Sequence, residues 1–118
     1  PLRVTQALLP NLQAGKGRTV VQITSVLASI AENSGGLYGY RASKTALNMF
    51  NSTLAVELGK DGFICVVLHP GWVQTRMGGA AAPVKVADSA AGLVKVIGAL
   101  TPADNGRFLD YQGKAIAW

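Results

Sequence analysis

The apolar positions of this chain switch between two periods, and each switch marks a boundary between predicted elements. From Leu2 to Gln13, the side chains Val4, Leu8, Leu9 and Leu12 recur at helical spacing and predict a one-sided amphipathic helix, kinked where Pro10 removes a backbone donor. Gly15-Lys16-Gly17-Arg18 stops it, with glycine expected in a left-handed cap. Thr19 to Thr24 is short, β-branched and barely alternating, the pattern of a strand buried on both faces of a parallel sheet. Periodicity is then lost from Ser25 to Tyr38, where Asn33-Ser34-Gly35-Gly36 marks a loop. A second helix is predicted over about Gly39 to Leu58, with Ala42, Ala46, Met49, Phe50 and Leu54 as its apolar face.

Gly59-Lys60-Asp61-Gly62 ends that helix, and Phe63 to Leu68 reads as a second buried strand. His69-Pro70-Gly71-Trp72 breaks it, and the small residues of Gly78 to Pro83 predict a mobile segment. A third helix is expected over Val84 to Leu100, with Val86, Ala90, Leu93, Val94 and Ile97 as its apolar side and Asp88 near its start. After the turn cluster Thr101 to Gly106, Arg107 to Tyr111 reads as a last strand. The end at Trp118 either folds back or hangs loose.

This order implies an α/β fold: right-handed crossovers building a parallel sheet with helices on both sides. Three strands so apolar would leave an exposed edge. The pattern therefore reads as the carboxyl-terminal half of a doubly wound Rossmann-type sheet. No repeat, linker or composition shift divides residues 1–118, so they form one part of a single domain.

Composition narrows the class. Nearly half of the 118 residues are hydrophobic and 14% are charged, which argues for a packed interior. The net charge of +5 comes from 11 basic and 6 acidic side chains, with the basic ones scattered, so nucleic acid is not an expected partner. No apolar run approaches the ~20 residues of a membrane span, and no signal-peptide layout opens the chain, so a cytoplasmic location is expected. A single cysteine, Cys65, excludes an internal disulfide and a cysteine zinc cage; it reads as a buried, inert thiol, and no metal site is expected.

The candidate chemistry centres on Tyr40 and Lys44, four residues apart and hence on one helical face. A cation beside a phenol favours the phenolate and suits the tyrosine to proton transfer at a carbonyl or alcohol oxygen. Ser25 follows the first strand, and the Pro70-Gly71 turn follows the second. Each has an ordinary reading when taken alone: chance helical neighbours, a turn-capping hydroxyl, a strand stop. His69 reads as a hydrogen-bonded structural residue, and Trp72 and Trp118 as packing or pocket walls. Together, Ser25, Tyr40 and Pro70-Gly71 converge on the crevice at the carboxyl ends of the strands, where open α/β sheets bind ligands.

With Ile23-Thr24-Ser25, Tyr40-Arg41-Ala42-Ser43-Lys44 and His69-Pro70-Gly71-Trp72-Val73-Gln74-Thr75 in this order, the sequence resembles the short-chain dehydrogenase/reductase family over essentially its whole length. The phrases Gly36 to Lys44 and Gly106 to Tyr111 are similar to the C-factor and sniffer-type carbonyl reductase branch. The resemblance implies catalytic roles for Ser25, Tyr40 and Lys44: Tyr40 as general acid/base, Lys44 as its cationic support, Ser25 as a hydrogen-bond donor to the substrate oxygen. It further implies that Tyr40, Lys44, Pro70, Gly71, Val73 and Thr75 meet a nicotinamide cofactor, NADP or NAD, and that the substrate is a small carbonyl or alcohol. The glycine-rich phosphate-binding turn of the family is expected upstream of Pro1, in an absent amino-terminal half. Two departures stand out: the Ser25-to-Tyr40 interval is longer than the commonest spacing, and Arg76 stands where the branch often carries an acid. The family also implies a homo-oligomer, dimer or tetramer, through helices matching residues 2–14 and 39–58. The alternative is a non-catalytic fragment acting through helix-mediated self-association.

Overall fold

The computed structural model describes residues 1–118. Its elements are α1 (Leu2–Ala14), β1 (Thr19–Ile23), α2 (Tyr38–Gly59), β2 (Ile64–His69), α3 (Val86–Ala99) and β3 (Phe108–Asp110), with short 3-10 turns at Val26–Ala28 and Pro102–Asp104. All strands are parallel, in the order β1-β2-β3. The expected α/β alternation is therefore present. No helix is long and apolar enough to cross a membrane.

The middle strand explains the layering. Cys65, Val66, Val67 and Leu68 of β2 are fully buried, so both faces of the sheet need a cover. One face packs Val20 and Cys65 against Leu9 and Leu12 of α1 and Leu54, Ala55 and Leu58 of α2. The other packs Val66, Leu68 and Leu109 against Leu93, Val96 and Leu100 of α3 and its end. Cys65 faces the first cluster while Val66 and Leu68 face the second, as the pleat requires.

This layering corrects one expectation. The crossovers through α2 and α3 advance in the same direction across the sheet, yet the helices lie on opposite faces, so the two cannot share a hand. With the α2 crossover in the ordinary right-handed form, the α3 crossover is left-handed. The long connection from Pro70 to Lys85 makes this possible by carrying the chain over the carboxyl edge of the sheet before α3 descends the far face.

Further expectations change with tertiary context. β1 is a half-buried edge strand rather than one buried on both faces, and Ile23 is 45% exposed. The buried face of α2 is Leu47, Asn48, Asn51, Ala55 and Leu58, whereas Met49 and Phe50 point outward. On α3, Ser89, Leu93 and Val96 turn inward, while Val86 and Val94 are exposed. α1 runs through Pro10 to Ala14, and Gly15 is extended (φ −76°) rather than left-handed; its N–H bonds to Asn11 O at 3.0 Å. The chain end folds back: Trp118 tilts against Phe108 at 5.5 Å, and Ile116 N–H donates to Phe108 O on the outer edge of β3.

Candidate active site

A cavity of about 910 Å³ opens at the carboxyl ends of the strands, between the start of α2, the Pro70–Lys85 connection and α3. Ser25, Tyr40, Pro70, Gly71, Val73 and Thr75 all line it. Lys44 stands just behind.

Ser25 is extended after β1, and its hydroxyl oxygen accepts from Leu27 N–H at 3.2 Å, capping the 3-10 turn. That bond uses a lone pair and leaves the hydroxyl proton available, so the capping and substrate-binding readings are compatible. Thr45 Oγ1 donates to Ala28 O at 3.0 Å and fastens the same turn to α2, which fixes Ser25 relative to Tyr40. Lys44 Nζ lies 5.9 Å from the Tyr40 ring centroid and donates to Ile23 O at 3.2 Å. Two of its three N–H donors remain free.

The long Ser25-to-Tyr40 interval is gathered by the arginine inside the motif. Arg41 Nε donates to the Gly35 and Gly36 carbonyls at 3.1 Å each, and another guanidinium nitrogen donates to Ser34 Oγ at 2.9 Å. Leu37 then enters α2 in the left-handed region (φ 50°).

The Pro-Gly turn is anchored from both sides. Ser89 Oγ, at the start of α3, donates to Pro70 O at 2.6 Å. Gly71 has φ +87°, and a Cβ there would stand 3.1 Å from the Tyr111 ring, so the position takes glycine for its backbone as well as its size. Val84 N–H donates to Trp72 O at 3.1 Å, Gln74 N–H to Val84 O at 2.8 Å, and Gln74 Nε2 to Ala82 O at 2.9 Å. The stretch expected to be mobile is thus tied to the turn, with Ala82 buried. Trp72 is a cavity wall, and its Nε1 donates to Gly78 O at 2.8 Å.

The lining contains no Asp, Glu, Lys or Arg. Its two titratable side chains are Tyr40 and His69. His69 departs from the expectation of a hydrogen-bonded structural residue: Nδ1 is sealed from solvent without a partner, and burial lowers its pKa despite an opposing pull from Asp110. Cys65 is buried as expected, and burial pushes its thiol up to about 11.

Sequence reasoning also passed over Asn48 and Asn51, whose amides are buried and unpartnered. The available signal was their spacing, one and two helical turns beyond Lys44 on the Tyr40 face.

Comparison with known proteins identifies the family. Residues 1–85 match the short chain dehydrogenase family. The chain is 50% identical over 119 residues to C-signal of Myxococcus xanthus, covering all of this chain and 72% of that protein. It is 39% identical over 123 residues to 1-hydroxy-2-glutathionyl-2-methyl-3-butene dehydrogenase of Rhodococcus sp. (strain AD45), covering all of this chain and 54% of that one. Among solved structures, the carbonyl reductase Sniffer of D. melanogaster superimposes with a TM-score of 0.90 at 38% identity, over 97% of this chain and 51% of that one. The NADPH-bound carbonyl reductase from chicken fatty liver gives 0.91 at 38% identity, over 100% and 52%. The chain thus spans about half the length of both structures.

Proposed function

Because this chain belongs to the short-chain dehydrogenase family, we propose that it is the carboxyl-terminal, proton-handling part of an NAD(P)-dependent oxidoreductase acting on a carbonyl or secondary alcohol. The observation that carries the reading is the convergence of Ser25, Tyr40 and the Pro70–Thr75 turn on one uncharged cavity, with Lys44 behind the tyrosine.

In this reading Ser25 donates its free hydroxyl proton to the substrate oxygen and holds it beside Tyr40. Tyr40 gives a proton to that oxygen during reduction, or takes one during oxidation. Lys44 supports the developing phenolate, and its two spare donors suit the ribose hydroxyls of a cofactor. The backbone of Pro70, Gly71 and Val73, with Thr75, would meet the flat carboxamide-bearing ring of the cofactor at the cavity wall, and Ser89 holds Pro70 in place. A nicotinamide cofactor, NADP or NAD, supplies the hydride when bound. The nucleotide's phosphates call for a glycine-rich turn at a helix start. We assign that turn to an amino-terminal half of the same domain, beyond this chain.

A homo-oligomer and a cytoplasmic setting belong to the same proposal. Exposed apolar side chains on α1 (Val4, Leu8) and α2 (Met49, Phe50, Val56) support self-association through these helices. The same surface favours the alternative reading, in which the chain acts by association without catalysis. The deciding experiment is a screen of NADPH and NADH against carbonyl compounds on the full-length protein. Cofactor-dependent carbonyl reduction is the expected result, and oligomerisation without cofactor binding would favour the alternative.

A further inference from the structure

The Pro70-Gly71 turn is held by residues on two other elements. β3 ends at Asp110, in register with His69 at the end of β2, so Tyr111 leaves the sheet beside the turn. A compact loop fixes its backbone: Asp110 Oδ1 accepts from Gln112 N–H and Lys114 N–H, both at 2.9 Å, and Asp110 N–H donates to Lys114 O at 2.9 Å.

The Tyr111 ring stands between two glycines. A Cβ on Gly71 would meet its Cε1 at 3.1 Å and its Cδ1 at 3.2 Å, so that edge of the ring fills the space beside the turn. A Cβ on Gly92 of α3 would meet Cδ2 at 2.8 Å and press on the Tyr111 carbonyl oxygen, so the opposite edge lies against α3 where only glycine leaves room. Ser89, three residues before Gly92 on the same helical face, donates to Pro70 O at 2.6 Å. The turn is thus fastened at Pro70 by a hydroxyl and at Gly71 by a ring braced on α3. Gly71 has no side chain to anchor it and, at φ +87°, a backbone with wide freedom, so an outside contact decides where it rests. Ring carbons make all the close approaches to both glycines, so the hydroxyl of Tyr111 is not needed for them.

We propose that Tyr111 is a positioning residue: its ring, braced on Gly92, holds the Pro70-Gly71 turn where the nicotinamide end of the cofactor meets it. This rests on the dehydrogenase reading above. Tyr111 does not line the cavity and acts on it through Gly71. Without the ring the turn is free to shift, and a misplacement of ~1 Å at a reacting centre costs up to ~10²-fold.

The test uses the full-length protein and its Tyr111→Leu and Tyr111→Phe variants. It compares the affinity for NADP with that for 2′-phospho-ADP-ribose, which keeps the nucleotide and lacks the nicotinamide; NAD and ADP-ribose take their places if the wild type prefers NAD. We expect the leucine variant to bind the intact cofactor about tenfold more weakly with the fragment's affinity unchanged, and the phenylalanine variant to behave as the wild type. A general loss of folding would weaken both ligands together. Equal losses on both ligands, no loss on either, or a phenylalanine variant as weak as the leucine one would overturn the proposal. The second readout is the ¹⁵N relaxation of the Gly71 and Trp72 amides in the nucleotide-free protein, where the leucine variant should gain mobility and the phenylalanine variant should not. If the wild type binds neither nucleotide, the dehydrogenase reading fails. The amides still decide this inference: mobility gained in the leucine variant alone upholds Tyr111 as the residue that holds the turn, and no gain, or equal gains, overturns it.

Discussion

Lys44 Nζ lies 5.9 Å from the centroid of the Tyr40 ring while donating to the Ile23 carbonyl at the end of β1, so the sheet itself holds the ammonium in place. Tyr40→Phe in the full-length protein should lower kcat by a factor on the order of 10²–10⁴, the usual contribution of a positioned acid or base, with cofactor affinity nearly unchanged. Lys44→Ala should reduce both, because it removes the tyrosine's support and the donors offered to the cofactor. Steady-state kinetics with cofactor titration checks the pair; turnover within a few-fold in Tyr40→Phe would refute the role given to Tyr40.

Asn51 is fully buried, and neither polar atom of its amide has a partner. An orphaned buried amide costs about 1–3 kcal/mol, and replacing it with an apolar group of similar shape relieves that cost. Asn51→Leu should accordingly raise the unfolding free energy by up to about that amount in urea titrations. A loss of stability would mean that the amide is held by a bound water or another partner.

The convergence of Ser25, Tyr40 and Pro70-Gly71 on one cavity was legible in the sequence because it rests on local signals: strand ends, a helix start and a Pro-Gly turn, in an order that topology converts into proximity. The apolar faces of α2 and α3 were misread for the opposite reason. Met49, Phe50 and Val94 fit a helical stripe as well as Leu47, Ala55 and Val96 do, and only the sheet decides which stripe it covers. The left-handed crossover was illegible because handedness depends on how the Pro70–Lys85 connection crosses the sheet edge. The unpartnered nitrogen of His69 is likewise a fact of packing, which no spacing encodes.

Cys65 offers a direct probe of β2. It is fully buried, and its thiol is pushed up to about 11 from an ordinary value of 9.0. The thiolate is the reactive species, so this shift alone slows alkylation at mildly alkaline pH by about a hundredfold. Iodoacetamide should label Cys65 in urea and leave the native chain unlabelled over the same interval, as read by mass spectrometry. Labelling at equal rates would show that β2 is not sealed in solution.

His69 should also leave a signature in the pH dependence of stability. Burial holds its pKa below the ordinary 6.5, and Asp110 opposes that only in part. Unfolding exposes the ring and restores the ordinary value, so below pH 6.5 the unfolded chain binds a proton that the folded chain refuses. The stability is complete above 6.5 and is lost as pH falls through the folded-state pKa. The urea midpoint should therefore drop between about pH 7.5 and about pH 5, and His69→Leu should flatten the drop. This is the chain's one histidine, so the slope that its substitution removes belongs to His69. An unchanged slope in the variant would mean that the ring is already hydrated, or already charged, in the folded state.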